Sequence, residues 1–204
     1  LSTYAPALDT AGYTLASLVE DSPFYDVNGR KVSNWWGDSY RGPSTLRAGI
    51  RDSMNVVTSK LITAITPQLG FEYLEDFGFT TLVSEKTLDD GSVVSDIGQS
   101  LALGGITYGV TNLELCAAYA AIANSGTYIK PISFTRVVDK DGKVILDADK
   151  VRTKRQVFKP TTAYMLVDIL HDLPRIESVI LSKVDKQSFV ALFCLFFATI
   201  SLSL

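Results

Sequence analysis

Ser53 and Asn55 stand two residues apart in the stretch GIRDSMNVVTSKLI, Gly49 to Ile62, where two helical patterns meet. Their hydroxyl and amide are groups that a reaction can use. They are also the side chains favoured where a helix begins, because they accept hydrogen bonds from the orphan backbone N–H groups there. On the triplet alone the capping reading is preferred, since so short a motif is weak without context. A serine hydroxyl is a poor nucleophile until a nearby base takes its proton. The chain has one histidine, His171, which leaves a histidine-based triad little choice of geometry. His171 reads instead as a polar residue near a helix end. Cys116 and Cys194 lie far apart in apolar text, with no CxxC pair and no neighbouring histidine, so neither a metal site nor a structural disulfide is expected.

The elements that must position these residues belong to a chain of 204 residues, 47% hydrophobic and 20% charged, enough for one sizeable core. A net charge of −3 argues against a nucleic-acid surface, which would carry a clustered basic excess. The opening LSTYAPALDTAGY has no start Met, basic segment or apolar leader, and is read as the tail of a helix in a piece of a longer chain. Asp21 to Ser44 is rich in Pro, Gly, Asn and Asp and reads as loop with short extended pieces. Within it the adjacent Trp35 and Trp36 either anchor the loop to the core, the preferred reading, or line a groove.

Ser44 is expected to cap a short helix in TLRAGIRDS, with Leu46 and Ile50 on one face. A second helix is expected from about Val56 to Thr66, stopped by Pro67, and a short amphipathic one in FEYLEDFGF, ending at Gly78. Gly98, Gly104, Gly105 and Gly109 mark a loop that backbone or ligand can approach closely. Thr111 and Glu114 form a capping box for an Ala-rich helix that stops near Gly126. Alternation in ISFTRVVDKDGKVILD, with Asp141-Gly142 at its turn, predicts a hairpin, and KPTTAYMLVDILHDL predicts a closing helix. Helices, then a hairpin, then a helix make an α+β architecture. Beyond it, Ser188 to Leu204 is almost wholly apolar, open to reading as a membrane anchor, a buried strand or non-native sequence.

Taken in order, YAPALD, NWWGDSYRGPSTLRAGIRDSMN, SLALGG, GVTNLELCAAYAAIANSGTY and VVDKDGKVILD resemble one family, the transpeptidase domain of class A penicillin-binding proteins. The resemblance runs from about Leu1 to Tyr164. It implies an incomplete penicillin-binding-protein or serine β-lactamase-like fold, a helical subdomain plus part of an antiparallel sheet. Residues 1–172 would be a partial transpeptidase domain and 173–204 a divergent tail. The family uses SxxK, SxN and KTG in chain order. Ser53-Met54-Asn55 matches SxN, which implies proton relay for Ser53 and substrate positioning for Asn55, with Trp36, Gly104 and Gly105 as further candidates for substrate contact.

No SxxK occurs in the chain, and Lys86-Thr87-Leu88 breaks KTG at its third position. The resemblance places the nucleophile just upstream of Leu1. It implies peptidoglycan stem peptides and β-lactams as partners, no cofactor or metal, and the extracytoplasmic face of the bacterial membrane, reached through the parent protein or the apolar tail. The expectation is an inactive piece of a D,D-transpeptidase that cross-links peptidoglycan. Its alternatives are a pseudoenzyme or scaffold module of the same fold, and a truncated product whose last residues are not native.

Overall fold

A computed structural model describes residues 1–171. Its centre is α1 (Tyr4–Asp9), whose residues from Tyr4 to Leu8 are all buried. A helix apolar all round has no solvent face and must lie inside other elements. The chain then forms β1 (Leu18–Asp21), the ribbon β2 (Phe24–Tyr25) and β3 (Lys31–Val32), and β4 (Gly42–Thr45), which returns antiparallel to β1 with Leu18 opposite Thr45.

The next helix, α2 (Leu46–Arg51), starts where that ladder ends. Its cap is therefore Thr45 and not Ser44: the Thr45 hydroxyl accepts the Ala48 N–H at 3.1 Å, whereas Ser44 is still paired with Val19. Then come α3 (Asn55–Ile65) and α4 (Pro67–Asp76). Pro67 does end α3, and it also begins α4 at the first helical position, where a missing N–H costs nothing. Thr66 joins the two helices at φ +77, its hydroxyl accepting the Leu69 N–H.

A ribbon of β5 (Lys86–Thr87) and β6 (Val93–Val94) precedes a 3-10 helix, Gln99–Leu103, in the glycine-containing segment. The capping box holds: α5 (Asn112–Ala123) starts with Thr111 and Glu114 bonded to each other's backbone N–H. After β7 (Thr127–Ile129) the expected hairpin forms from β8 (Arg136–Val138) and β9 (Val144–Asp147), turning at Gly142 with φ +81. A short α6 (Ala148–Val151) leads to β10 (Lys154–Gln156), which pairs with β7, and α7 (Pro160–Leu170) closes the described chain with His171 at its C-cap.

Among the described residues the architecture is α+β, with five two-stranded antiparallel ribbons set around helices. One core joins α1, α3, α4, α5 and α7 through Leu8, Leu61, Phe77, Ala118, Leu166 and Ile169. Cys116 lies exposed on α5. No helix among the described residues is long and apolar enough to cross a membrane. The readings made for Cys194, for Ser188 to Leu204 and for the boundary at residue 172 lie outside the described residues.

Candidate active site

Ser53 sits at the end of α2, in a turn that the sequence did not advertise. The Ser53 N–H donates to the Ile50 carbonyl at 3.1 Å and the Met54 N–H to the Gly49 carbonyl at 2.9 Å. Those two bonds define a Schellman termination with Asp52 as C-cap, and they place Ser53 at the following position in the left-handed region, φ +51. Glycine is the usual occupant there, because a Cβ in that region costs energy. Ser53 is exposed, and among the described residues its hydroxyl has no hydrogen-bond partner. Met54, fully buried, pins the turn to the core.

Asn55 is the first residue of α3, not its cap. Met54 occupies the cap position and offers no side-chain bond. The Asn55 Nδ2 instead donates to the Ser33 carbonyl at 3.1 Å, which ties the amide to the loop after β3. The cap comes from that loop as well: Asn34 Oδ1 accepts the Val56 N–H at 3.1 Å. Asn34 is itself held by Asp21, whose Oδ1 accepts Asn34 Nδ2 and whose Oδ2 accepts the Arg41 N–H, both at 2.9 Å. Both side chains are buried, Asp21 completely and Asn34 to 4% exposure. Neither residue was legible as part of a site, because their partners lie 13 and 22 positions away.

Asp52, the neighbour of Ser53, organises the other side. Its carboxylate accepts from Arg51 Nε at 2.8 Å and Arg41 Nη1 at 2.5 Å. The Arg51 hydrogen bond, followed by attraction to both guanidinium groups, holds the Asp52 carboxyl below the usual range despite partial burial. The Asp52 carbonyl accepts Trp35 Nε1 at 3.0 Å. Trp36 carries the Arg41 guanidinium 4.2 Å from its ring centroid and meets Trp35 edge-on at 5.5 Å. The two tryptophans differ in exposure. Trp36 packs against the core, whereas Trp35 is 67% exposed and is anchored through its indole N–H.

The remaining candidates lie on other elements. Gly104 ends the 3-10 helix at φ +85, and Gly105 packs so tightly that a Cβ would come within 2.7 Å of Ser100 Cβ. No hydrogen bond links either glycine to the triplet among the described residues. Lys86 lies on β5, its ammonium donating to the Tyr108 hydroxyl at 2.7 Å. Lys60, seven residues after Ser53 on α3, donates to the Glu20 carbonyl and the Ser22 hydroxyl. The arrangement can thus present one free hydroxyl and one oriented amide to a ligand, but it gives that hydroxyl no base of its own. Among the described residues no group of three His, Cys, Asp or Glu is gathered in the manner of a metal site.

Comparison with known proteins is consistent over nearly the whole described chain. A family model described as the penicillin binding protein transpeptidase domain matches residues 1–174. Penicillin-binding protein 1A of Clostridium tetani is 33% identical over 178 residues, covering 83% of this chain and 22% of that protein. Penicillin-binding protein 1A of Clostridium acetobutylicum is 34% identical over 178 residues, covering 83% and 20%. The chain thus spans about a fifth of the length of these curated relatives. Among solved structures, penicillin-binding protein 1A from Haemophilus influenzae superposes with a TM-score of 0.65 at 24% identity, over 87% of this chain and 29% of that one. PonA1 from Mycobacterium tuberculosis, solved in complex with penicillin V, superposes with a TM-score of 0.67 at 23% identity, over 84% and 44%.

Proposed function

Because this chain belongs to the penicillin-binding protein transpeptidase domain family, we propose that it is the SxN-bearing part of a peptidoglycan D,D-transpeptidase at the extracytoplasmic face of a bacterial membrane. In such an enzyme a serine attacks the penultimate D-Ala carbonyl of a stem peptide and expels the terminal D-Ala. An amine of a second stem peptide then takes the acyl group. β-Lactams acylate the same serine. The observation that carries this reading is the pairing of an exposed Ser53 in strained backbone with an Asn55 amide fixed 3.1 Å from the Ser33 carbonyl, inside a fold of the transpeptidase type.

Ser53 relays the proton between the nucleophile and the leaving amine, a task for a hydroxyl that can both donate and accept. Asn55 donates to the stem-peptide carbonyl with the amide hydrogen that the Ser33 contact leaves available. Trp36 fixes the Arg41–Asp52 side of the turn, and the loop at Gly104 and Gly105 contributes to the substrate groove. Nucleophile and base belong to an SxxK sequence and the carboxylate clamp to KTG, and neither motif occurs among these 204 residues. A serine acyl-enzyme route needs no metal or organic cofactor.

Two measurements test this. The 204-residue chain, treated with a fluorescent penicillin, takes up no label that survives boiling. Grafted in place of the matched stretch of the Clostridium tetani protein, residues 1–171 support acylation, and Ser53→Ala or Asn55→Ala each slow it by about 10²-fold or more, the usual scale for a positioned proton-transfer group. Acylation unaltered by either substitution, in grafts that melt with the parent, would overturn the proposal.

A further inference from the structure

Among the described residues the Asn55 side chain makes no hydrogen bond to its own helix: its amide is steadied by Ser33, and α3 is capped from the same loop by Asn34. Asp21 of β1 completes the chain, accepting from Asn34 Nδ2 with one oxygen and from the Arg41 N–H with the other. Every polar atom of the Asp21–Asn34 pair that these bonds use is spoken for, and both side chains are out of water. A buried pair of this kind has one low-energy arrangement, since any other leaves a donor or acceptor unsatisfied.

From this geometry we infer that Asp21 and Asn34 are positioning residues for Asn55. They set the register of the 33–41 loop against the start of α3, and so fix where the Asn55 amide points. The inference rests on the transpeptidase reading for its catalytic meaning, though not for its geometry. Arg41 enters the same brace twice, through its backbone N–H on Asp21 and its guanidinium on Asp52, so the residues on both sides of Ser53 answer to one buried carboxyl group.

The pair offers a reciprocal exchange. With Asp21→Asn and Asn34→Asp together, the new amide at position 21 donates to the new carboxylate at 34 and accepts the Arg41 N–H, while that carboxylate accepts the Val56 N–H. All three bonds are restored with one of them reversed. Asn34→Asp alone sets two acceptors face to face, and Asp21→Asn alone lets donor meet donor or leaves the Arg41 N–H without its acceptor.

The test is NMR of the labelled 204-residue chain, read at the Asn55 side-chain amide and the Val56 N–H. The single variants are expected to shift both signals and to speed Val56 hydrogen exchange, and the exchange variant to return them close to the parent. A core change such as Ile62→Val, with a similar loss of melting temperature, leaves them in place. In the grafted enzyme Asn34→Asp is expected to slow acylation by up to about 10²-fold, the scale of a ~1 Å misplacement, and the exchange variant to recover most of it. Signals indifferent to the single variants, or unrestored by the exchange, overturn the inference. If a single variant does not fold, the exchange variant decides alone, by folding with parental Asn55 signals or failing to. Signals that follow the pair while acylation does not would uphold the positioning and count against the transpeptidase reading.

Discussion

The Met54 N–H reaches back to the Gly49 carbonyl at 2.9 Å, and in closing that loop it forces Ser53 into the left-handed region at φ +51. Strain at a serine, in a position that helices ordinarily give to glycine, marks its hydroxyl as a candidate for use. Ser53→Gly should therefore stabilise the fold while removing the proposed relay. Relief of about 1–2 kcal/mol of left-handed strain is partly offset by the ~0.5–1 kcal/mol entropic cost of glycine. The net gain of up to about 1.5 kcal/mol should raise the melting temperature by up to roughly 6 °C, given the ~2–4 °C per kcal/mol usual for a domain of this size. A lower melting temperature would count against strain at Ser53.

Gly49 is needed for closeness. A Cβ there would lie 2.5 Å from the Tyr4 hydroxyl and 2.9 Å from Val57 Cγ1, which is where α2 presses on α1 and α3. Gly49→Ala should cost about 1–3 kcal/mol by overpacking. In a Tyr4→Phe background the nearest ring atom is the carbon at 3.6 Å, so part of the penalty should vanish and only the Val57 contact remain. Urea titration of the four proteins in this cycle measures the coupling, and strict additivity would show that the Tyr4 contact is not the obstacle.

Asp9 joins the end of α1 to the start of α7. Its carboxylate accepts the Lys159 N–H and the Thr162 hydroxyl at 2.9 Å each and the Tyr73 hydroxyl at 2.8 Å. Burial pushes its pKa up, but those hydrogen bonds outweigh burial and hold it below the usual range. A carboxyl depressed in the folded state contributes stability above its unfolded pKa, about 3.9, and loses it as the pH falls through the folded value. Thermal melts from pH 6 down to pH 2 should show the parent losing stability below about pH 4 more steeply than Asp9→Asn. Parallel curves would contradict this.

The same cluster has an alkaline counterpart. Burial, reinforced by Asp9, pushes the Tyr73 hydroxyl up to about 12 although Thr10 opposes it. Stability from this raised pKa is complete below the unfolded value near 10 and is lost as pH climbs toward the folded one. Absorbance at the tyrosinate band should report part of the tyrosine titration delayed past pH 11, and Tyr73→Phe should shrink that delayed fraction.

Glu114 serves two segments. One oxygen accepts the Thr111 N–H at 3.0 Å within the capping box, and the other accepts the Thr80 N–H at 3.0 Å and its hydroxyl at 2.6 Å. Thr111→Ala should cost about 1 kcal/mol, as N-cap losses do. Glu114→Ala should cost more, since it also releases the segment at Thr80 from α5. Equal costs in chemical denaturation would reduce Glu114 to a local cap.

What the sequence determined by itself is what neighbours along the chain decide. The capping box of Thr111 and Glu114, the hairpin turn at Gly142 and the helical periodicities join residues a few positions apart, so their geometry is written in adjacency. The family was legible for a related reason, through ordered strings of text around Ser53 and Asn55. Tertiary structure decided the rest. Ser44 looked like a cap, but strand pairing with Val19 carried the ladder one residue further and left the cap to Thr45. Ser53 and Asn55 looked like caps too, yet one ends a helix under strain and the other is tied to Ser33. The true cap of α3, Asn34, lies 22 residues away and depends on a buried Asp21. A buried carboxyl and amide are tolerable only when partners from separate strands and loops close around them, and no local pattern records which partners those will be.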